Sequence, residues 1–315
     1  MNEVLTLDNH LAAGSTAVTI GMFDGVHRGH AFLIGELKRH AAERGLTPMV
    51  VTFDRHPLEV VRPARTPALL MTQAARIAAL QAQCEQVAVL TFDQAMAQLS
   101  TLQFLELLRD NWGVKLLVMG YNHRFGHEAV WDEDHYKQCG QQAGVEVIVA
   151  PAYDGPYAPI SSSFIRNNIT RGEVDAARDM LGHPFVLQGR VVHGNHNGTS
   201  LGYPTANVGD IDPALIVPRN GAYAAVAILN GNRYNAMVGI GYRPTLTQGV
   251  VRSIEAHLID QNGNFYGKDI ALEMVGFIRP EIKFDDASAL RHQLDVDRKT
   301  AINLLTHYHD NNGNH

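Results

Sequence analysis

Gly21-Met22-Phe23-Asp24-Gly25-Val26-His27-Arg28-Gly29-His30 follows directly on the apolar run Ala17-Val18-Thr19-Ile20. A short β-prone run, a glycine-rich turn and the helix-patterned segment Ala31 to Ala42 form the sequence pattern of a strand–loop–helix phosphate site. The N–H groups of such a loop and the N-terminus of such a helix present positive partial charge to an anion. His27 and His30 can aim at one phosphate, because Gly29 between them lets the backbone come close. The segment is not a P-loop: the chain has no Gly-x-x-x-x-Gly-Lys-Ser/Thr, and no Gly-x-Gly-x-x-Gly follows a strand.

Outward from this loop, residues 16 to about 150 alternate strand-like and helix-like segments. Apolar runs stand at Ala17–Ile20, Met49–Phe53, Val87–Phe92, Lys115–Met119 and Val145–Val149, with helices predicted near 28–43, 73–83, 100–112 and 133–142. Continuous apolar strands alternating with helices argue for a parallel sheet covered on both faces. Ligands of such sheets sit at the carboxyl ends of the strands, where His27, Asn122 and the loop after Phe53 all fall. Beyond a turn-rich stretch from Tyr153 to Ile160, Ser161-Ser162-Ser163 opens a helix carrying Arg166, and a second helix runs from Glu173 to Leu181.

From Phe185 the pattern changes to short strands and turns. Strands are predicted at Phe185–Val192, Ala222–Ile228, Tyr234–Ile240, Ser253–Leu258 and Ile270–Phe277, with hairpin signals at Asn230-Gly231 and Asn262-Gly263. This spacing suggests a compact β-barrel or sandwich. Leu290, Leu294, Ala301, Leu304 and Leu305 give Asp286 to Tyr308 a long amphipathic helix. The domain boundary is placed near residue 183, giving domains 1–183 and 184–315.

Composition narrows the classes. With 315 residues, 45% of them hydrophobic and 18% charged, the chain can bury two ordinary cores and is not disordered. No apolar run approaches the ~18–20 residues that span a bilayer, so no membrane partner is expected. The start Met1-Asn2-Glu3-Val4 lacks a signal-peptide pattern, and two cysteines, Cys84 and Cys139, fit a cytoplasmic location. A net charge of −6 gives no footprint for nucleic acid. The sequence shows no decisive interface pattern, and a monomer or weak oligomer is expected.

The second half holds its own glycine-rich loop, Gly194-Asn195-His196-Asn197-Gly198-Thr199-Ser200-Leu201-Gly202, which runs into Tyr203-Pro204-Thr205-Ala206-Asn207. Thr205 and Asn207 offer a hydroxyl and an amide oxygen two positions apart, neutral ligands suited to a Mg²⁺ that also holds ATP phosphates.

Several of these strings carry a resemblance. The first contains the His-x-Gly-His motif of the nucleotidylyltransferase superfamily, whose members transfer AMP from ATP onto a phosphate. In its longer form it is similar to the flavin-nucleotide branch. The second resembles the riboflavin kinase signature Gly-x-Pro-Thr-Ala-Asn. Gly241-Tyr242-Arg243-Pro244-Thr245, Ile254-Glu255-Ala256-His257-Leu258, Phe265-Tyr266-Gly267-Lys268 and the Arg279…Glu281…Lys283-Phe284 stretch match in order. In the first half, Thr52-Phe53-Asp54-Arg55-His56-Pro57, Gly120-Tyr121-Asn122-His123-Arg124-Phe125-Gly126 and Ile160-Ser161-Ser162-Ser163-Phe164-Ile165-Arg166 do the same. Together, over roughly residues 15 to 308, they resemble the bifunctional bacterial riboflavin kinase/FMN adenylyltransferases.

The resemblance implies a Rossmann-like α/β nucleotidyltransferase domain followed by a six-stranded antiparallel β-barrel with a long terminal helix. It implies ATP, riboflavin and FMN as substrates. Glu255 would be the general base of the kinase, and Thr205 and Asn207 the Mg²⁺ ligands. His27, His30 and Arg166 would be the catalytic groups of adenylyl transfer. Gly21, Phe23, Asp24, Gly25, Gly29, Asn122, Ser161, Ser162, Ser163, Gly194, Gly198 and Gly202 would bind nucleotide.

The chain departs from the family pattern in three places. Thr199 stands where an arginine is usual, Gly239-Ile240-Gly241 replaces Asn-Ile-Gly, and His127-Glu128-Ala129-Val130-Trp131-Asp132 replaces a basic loop. Three other readings fit the same strings: one active domain beside an inactive one, a different adenylyltransferase of the superfamily, or a flavin-binding regulator without catalysis. The retained metal ligands and base argue against the last.

Overall fold

The computed structural model describes residues 4–7, 15–128, 132–193, 202–245, 249–261 and 263–312. By contacts the chain divides into two compact units, Met1–Ser161 and Ser162–His315.

The first unit is built on five parallel strands: β1 (Thr16–Ile20), β2 (Thr47–Phe53), β3 (Gln86–Leu90), β4 (Val114–Met119) and β5 (Glu146–Val149), in the order β3-β2-β1-β4-β5. All five residues of β1 are buried, which explains why it reads as a continuous apolar run and not an alternating one. The helices are α1 (Arg28–Glu43), α2 (Pro57–Val61), α3 (Gln73–Gln83), α4 (Gln94–Ala97), α5 (Thr101–Trp112) and α6 (Glu133–Ala143). α1 and α3 have the bounds the spacing predicts; α2 and α4 are single turns that escape a periodicity reading. One core joins Ile20, Met49, Phe104, Leu105, Trp112 and Tyr136, and a second joins Val50, Ile34, Leu37, Ala41 and Leu80. Burying each of the larger side chains contributes about 1.5–3 kcal/mol. The chain runs outward from β1 to β3 and then returns to β4 on the other side of β1. The loops after β1 and β4 therefore flank the switch point, where doubly wound sheets bind ligands.

The second unit starts with α7 (Ser162–Arg171) and α8 (Val174–Leu181). α8 buries Val174, Ala177 and Leu181, and Arg178 donates to the Val275 carbonyl of the barrel at 3.3 Å. The compact units thus part before these two helices, whereas the boundary expected from sequence composition lies after them. The barrel is closed and antiparallel: β6 (Phe185–Val192), β7 (Ala206–Gly209), β8 (Gly221–Leu229), β9 (Asn232–Thr245), β10 (Gly249–Leu258) and β11 (Asp269–Arg279), in the order β10-β7-β6-β11-β8-β9. Asn230 (φ 50°) and Gly231 (φ 78°) make the expected two-residue hairpin turn between β8 and β9. Asn262 lies outside the described residues.

The sequence pattern shows five barrel strands; the sixth, β7, is only four residues long and starts two residues after Pro204. The last helix, α9, spans Ala287–Asn312, and the Asp286 carboxylate accepts the Ala289 N–H at its start (2.8 Å). It buries Ala301 and Leu305 against the barrel, and the buried Asp297 carboxylate pairs with Arg279 of β11 at 2.8 Å.

Candidate active sites

The loop after β1 is tightly fixed. The Gly21 N–H donates to the Val51 carbonyl at 3.1 Å, and the buried Asp24 carboxylate accepts the Leu70 N–H at 2.9 Å. Phe23, Gly25 and Val26 have φ of 51°, 85° and 37°. Positive φ is ordinary for glycine but strained for phenylalanine and more so for β-branched valine, the kind of strain that gathers at functional loops. Beneath the loop, Arg76 of α3 is fully buried and donates through Nη2 to the Phe53 carbonyl at 2.6 Å. Burial pushes its pKa down while Asp24, Asp54 and Glu59 oppose that shift. A lone arginine on the apolar stripe of α3 was a legible signal that the sequence reading passed over.

His27 is the N-cap of α1. Its Nδ1 accepts the His30 N–H at 3.3 Å, which leaves the ring proton on Nε2 when the imidazole is neutral. The two rings stack with centroids 3.5 Å apart, and Phe23 packs edge-on to His30 at 5.1 Å. A Cβ on Gly29 would stand 3.2 Å from His27 Nδ1, so glycine is what admits this stacking. His30 is held neutral, its pKa pushed well below the usual imidazole value by burial first, then by His27 and His123. The first turn of α1 has no acidic residue, so nothing on the helix offsets its N-terminal dipole. Asn122 lies exposed in the turn after β4.

A cavity of about 780 Å³ opens in the first unit, walled by Met22, Phe53, Phe92, Phe104, His123 and Phe125, with Arg62 and Arg124 at its polar side. It lies at the carboxyl ends of β1 to β4 and is lined mainly by aromatic and aliphatic side chains. Ser161 closes the first unit, and Ser162, Ser163 and Arg166 open α7 of the second. The geometry described here therefore brings together Gly21, Phe23, Asp24, Gly25, His27, Gly29 and His30, and leaves Ser162, Ser163 and Arg166 in the other unit.

In the second unit, β7 and β10 lie side by side with Asn207 opposite Glu255. Thr205 Oγ1 donates to Glu255 Oε2 at 3.0 Å. Glu255 is thus hydrogen-bonded to Thr205 and paired across the strands with Asn207. Their hydroxyl, amide and carboxylate oxygens fit a hard divalent cation. Among the described residues no group of three or more His, Cys, Asp or Glu is arranged to hold a metal alone. A metal on Thr205 and Asn207 would take its remaining ligands from nucleotide phosphates. Gly202 is described, with φ 83°; Gly194 and Gly198 lie outside the described residues, as does Thr199.

The segment before β7 is tied on two sides. His257 of β10 donates from Nδ1 to the Pro204 carbonyl at 2.8 Å, and the Tyr203 hydroxyl donates to Asp295 of α9 at 2.5 Å. Burial pushes the His257 pKa down, and burial followed by Asp295 pushes the Tyr203 phenol up to about 12. The sequence reading quoted both residues within matched strings without giving them a role. Glu255 and His257, two apart on a strand, share a face, and that was the available signal.

The fold and the two sites define a two-domain phosphate-transfer enzyme, with a nucleotidyltransferase loop in one half and a carboxylate-bearing barrel in the other. The FAD synthetase family model matches residues 10–164 and the riboflavin kinase model residues 181–305. A bifunctional riboflavin kinase/FMN adenylyltransferase of Bacillus subtilis is 34% identical over 96% of this chain and 97% of its own. One of Escherichia coli is 33% identical over 90% of this chain and 91% of its own. The crystal structure of a macrolide-efflux protein from Streptococcus pneumoniae superposes with a TM-score of 0.85 at 28% identity, covering 95% of this chain and 99% of that one. Among the described residues no helix is long and apolar enough to cross a membrane. The chain belongs to the bifunctional riboflavin kinase/FMN adenylyltransferase family. It is an enzyme with both activities, and enzymes of this kind use ATP and a divalent metal.

Proposed function

We propose that residues 184–315 phosphorylate riboflavin to FMN and residues 1–183 join AMP from a second ATP to that FMN, giving FAD and pyrophosphate. The observation that carries this division is that the barrel places a carboxylate beside metal-type ligands: Thr205 Oγ1 stands 3.0 Å from Glu255, and Asn207 lies opposite Glu255 on the paired strand.

In the kinase step, the terminal ribityl hydroxyl of riboflavin attacks the γ-phosphorus of ATP and ADP leaves. An alcohol is a poor nucleophile, and Glu255 is the base that accepts its proton. Thr205 and Asn207 would hold Mg²⁺, which offsets charge on the ATP phosphates when bound. Until then the Thr205 hydroxyl occupies a Glu255 oxygen, so the two are held in register by their own hydrogen bond.

In the adenylyl step, an FMN phosphate oxygen attacks the α-phosphorus of ATP and the bond to pyrophosphate breaks. The phosphate is already ionised near neutral pH and needs no base. The protein's work is to hold two repelling anions in line and stabilise the departing one. His27 and His30 supply hydrogen-bond donors, the loop amides of residues 21–29 add more, and Arg166 with Ser161, Ser162 and Ser163 serves the ATP phosphates. The aromatic cavity of the first unit suits the isoalloxazine ring in shape and polarity.

The test is chromatography of products from riboflavin, ATP and Mg²⁺, and separately from FMN, ATP and Mg²⁺. FMN followed by FAD in the first, and FAD in the second, is the expected result. FMN alone in the first and nothing in the second removes the adenylyl assignment; FAD only when FMN is supplied removes the kinase assignment.

A further inference from the structure

His123 walls the cavity of the first unit. It stands in the loop after β4, across the switch point from the histidine loop, its N–H donating to the Gly120 carbonyl at 2.9 Å. Its Nε2 is buried without a hydrogen-bond partner among the described residues, and so is Nδ1 of His30. The two imidazoles are close enough for His123 to help keep His30 neutral. His123 is itself pushed down to about 4 by burial. On its other side the ring lines the aromatic cavity, 6.1 Å from the Phe125 ring. Buried polar atoms are almost always satisfied. His30 Nδ1 and His123 Nε2 are two exceptions, the second on a residue of the cavity wall, and a ligand's polar group would satisfy it. That ligand is not a metal held by protein alone, since no such group exists among the described residues.

We infer that His123 is a further substrate-binding residue of adenylyl transfer, its Nε2–H donating to the phosphate of the FMN whose ring fills the cavity. The inference rests on the adenylyltransferase reading of the first half. Of the parts of FMN, the ring belongs among Phe53, Phe92, Phe104 and Phe125, while the polar end must meet the histidines. His123 belongs to the cavity wall and neighbours His30. A neutral imidazole offers one N–H there and does not need to lose or gain a proton to act.

The experiment measures initial rates of FAD formation by the full chain and by His123→Phe, His123→Asn and His123→Gln. FMN and ATP are varied in turn, with lumiflavin, a flavin ring without phosphate, as competitor. Expected for Phe and for Asn, which is too short to reach, is a rise of at least tenfold in KM for FMN. KM for ATP and the lumiflavin inhibition constant should stay within twofold, and Gln should recover most of the loss. Should the Phe variant not fold, the Asn and Gln pair carries the same comparison. An unchanged KM for FMN overturns the inference. A matching rise for lumiflavin moves the contact to the ring, and a matching rise for ATP moves it to the nucleotide; both overturn it as well. If the unaltered chain makes no FAD from FMN, the underlying reading has failed, an outcome distinct from these.

Discussion

The two proposed phosphate sites answer unlike problems. The loop site offers two stacked imidazoles, backbone amides and a helix start, with the Asp24 carboxylate turned to hold a backbone N–H. The barrel site brings a carboxylate, a hydroxyl and an amide oxygen together across two paired strands. The difference follows the nucleophile: a phosphate arrives already ionised, while an alcohol has to be relieved of a proton. A site that needs no base can be made of donors alone.

Removing the base should separate the sites most sharply. Glu255→Gln is expected to lower FMN formation by about 10²–10⁴-fold. FAD formation from supplied FMN should be unchanged, as followed by product chromatography. A rate within threefold of the unaltered chain would show that the barrel, too, works by positioning alone.

The mirror change is smaller. His27→Ala or His30→Ala should cost about 10²–10³-fold in FAD formation, the scale of losing one positioned donor, with riboflavin phosphorylation retained. Equal loss of both activities would break the division of labour.

Stability sharpens the comparison further. His123 has a folded pKa of about 4 against the ordinary imidazole value, so it stays neutral in the fold while the unfolded chain takes up a proton. Its contribution is fully present above pH ~6.5 and is lost as pH falls toward about 4, at roughly 1.4 kcal/mol per pH unit. Trp112 is buried in the core of the first unit, so its fluorescence in urea titrations reports that unit. The slope should flatten in His123→Phe. A slope unchanged by the substitution would show that His123 is not the group responsible.

The smallest effect concerns a support. Tyr203→Phe removes the hydrogen bond to Asp295, about 0.5–1.5 kcal/mol in stability. It should raise the Mg·ATP requirement of the kinase severalfold without touching adenylyl transfer. An unchanged metal titration would mean that His257 alone holds the Pro204 segment.

Much of this was legible in the chain. The loop at 21–30 announced its strand, turn and helix because all three signals are local, and α1 and α3 end where their spacing says. Glu255 and Thr205, 50 residues apart, meet within hydrogen-bonding distance, and Asn207 pairs with Glu255 across the two strands. What escaped was either too short for a period to show, as with β7, α2 and α4, or created only by folding. Arg76 under Phe53, His257 on Pro204, Tyr203 on Asp295 and His123 behind His30 are each contacts between distant segments. α8 buries Val174, Ala177 and Leu181 within the second unit.

Most helices are capped by a serine, threonine or aspartate that has no other duty. Here the cap of α1 is His27, and its capping nitrogen fixes which way the other ring nitrogen faces. Fraying of that first turn and misalignment of the donor are then a single event with a single free energy. The amide of His30, which carries the capping bond, is the natural clock for it: its hydrogen-exchange rate in the resting enzyme measures how often the site is unmade.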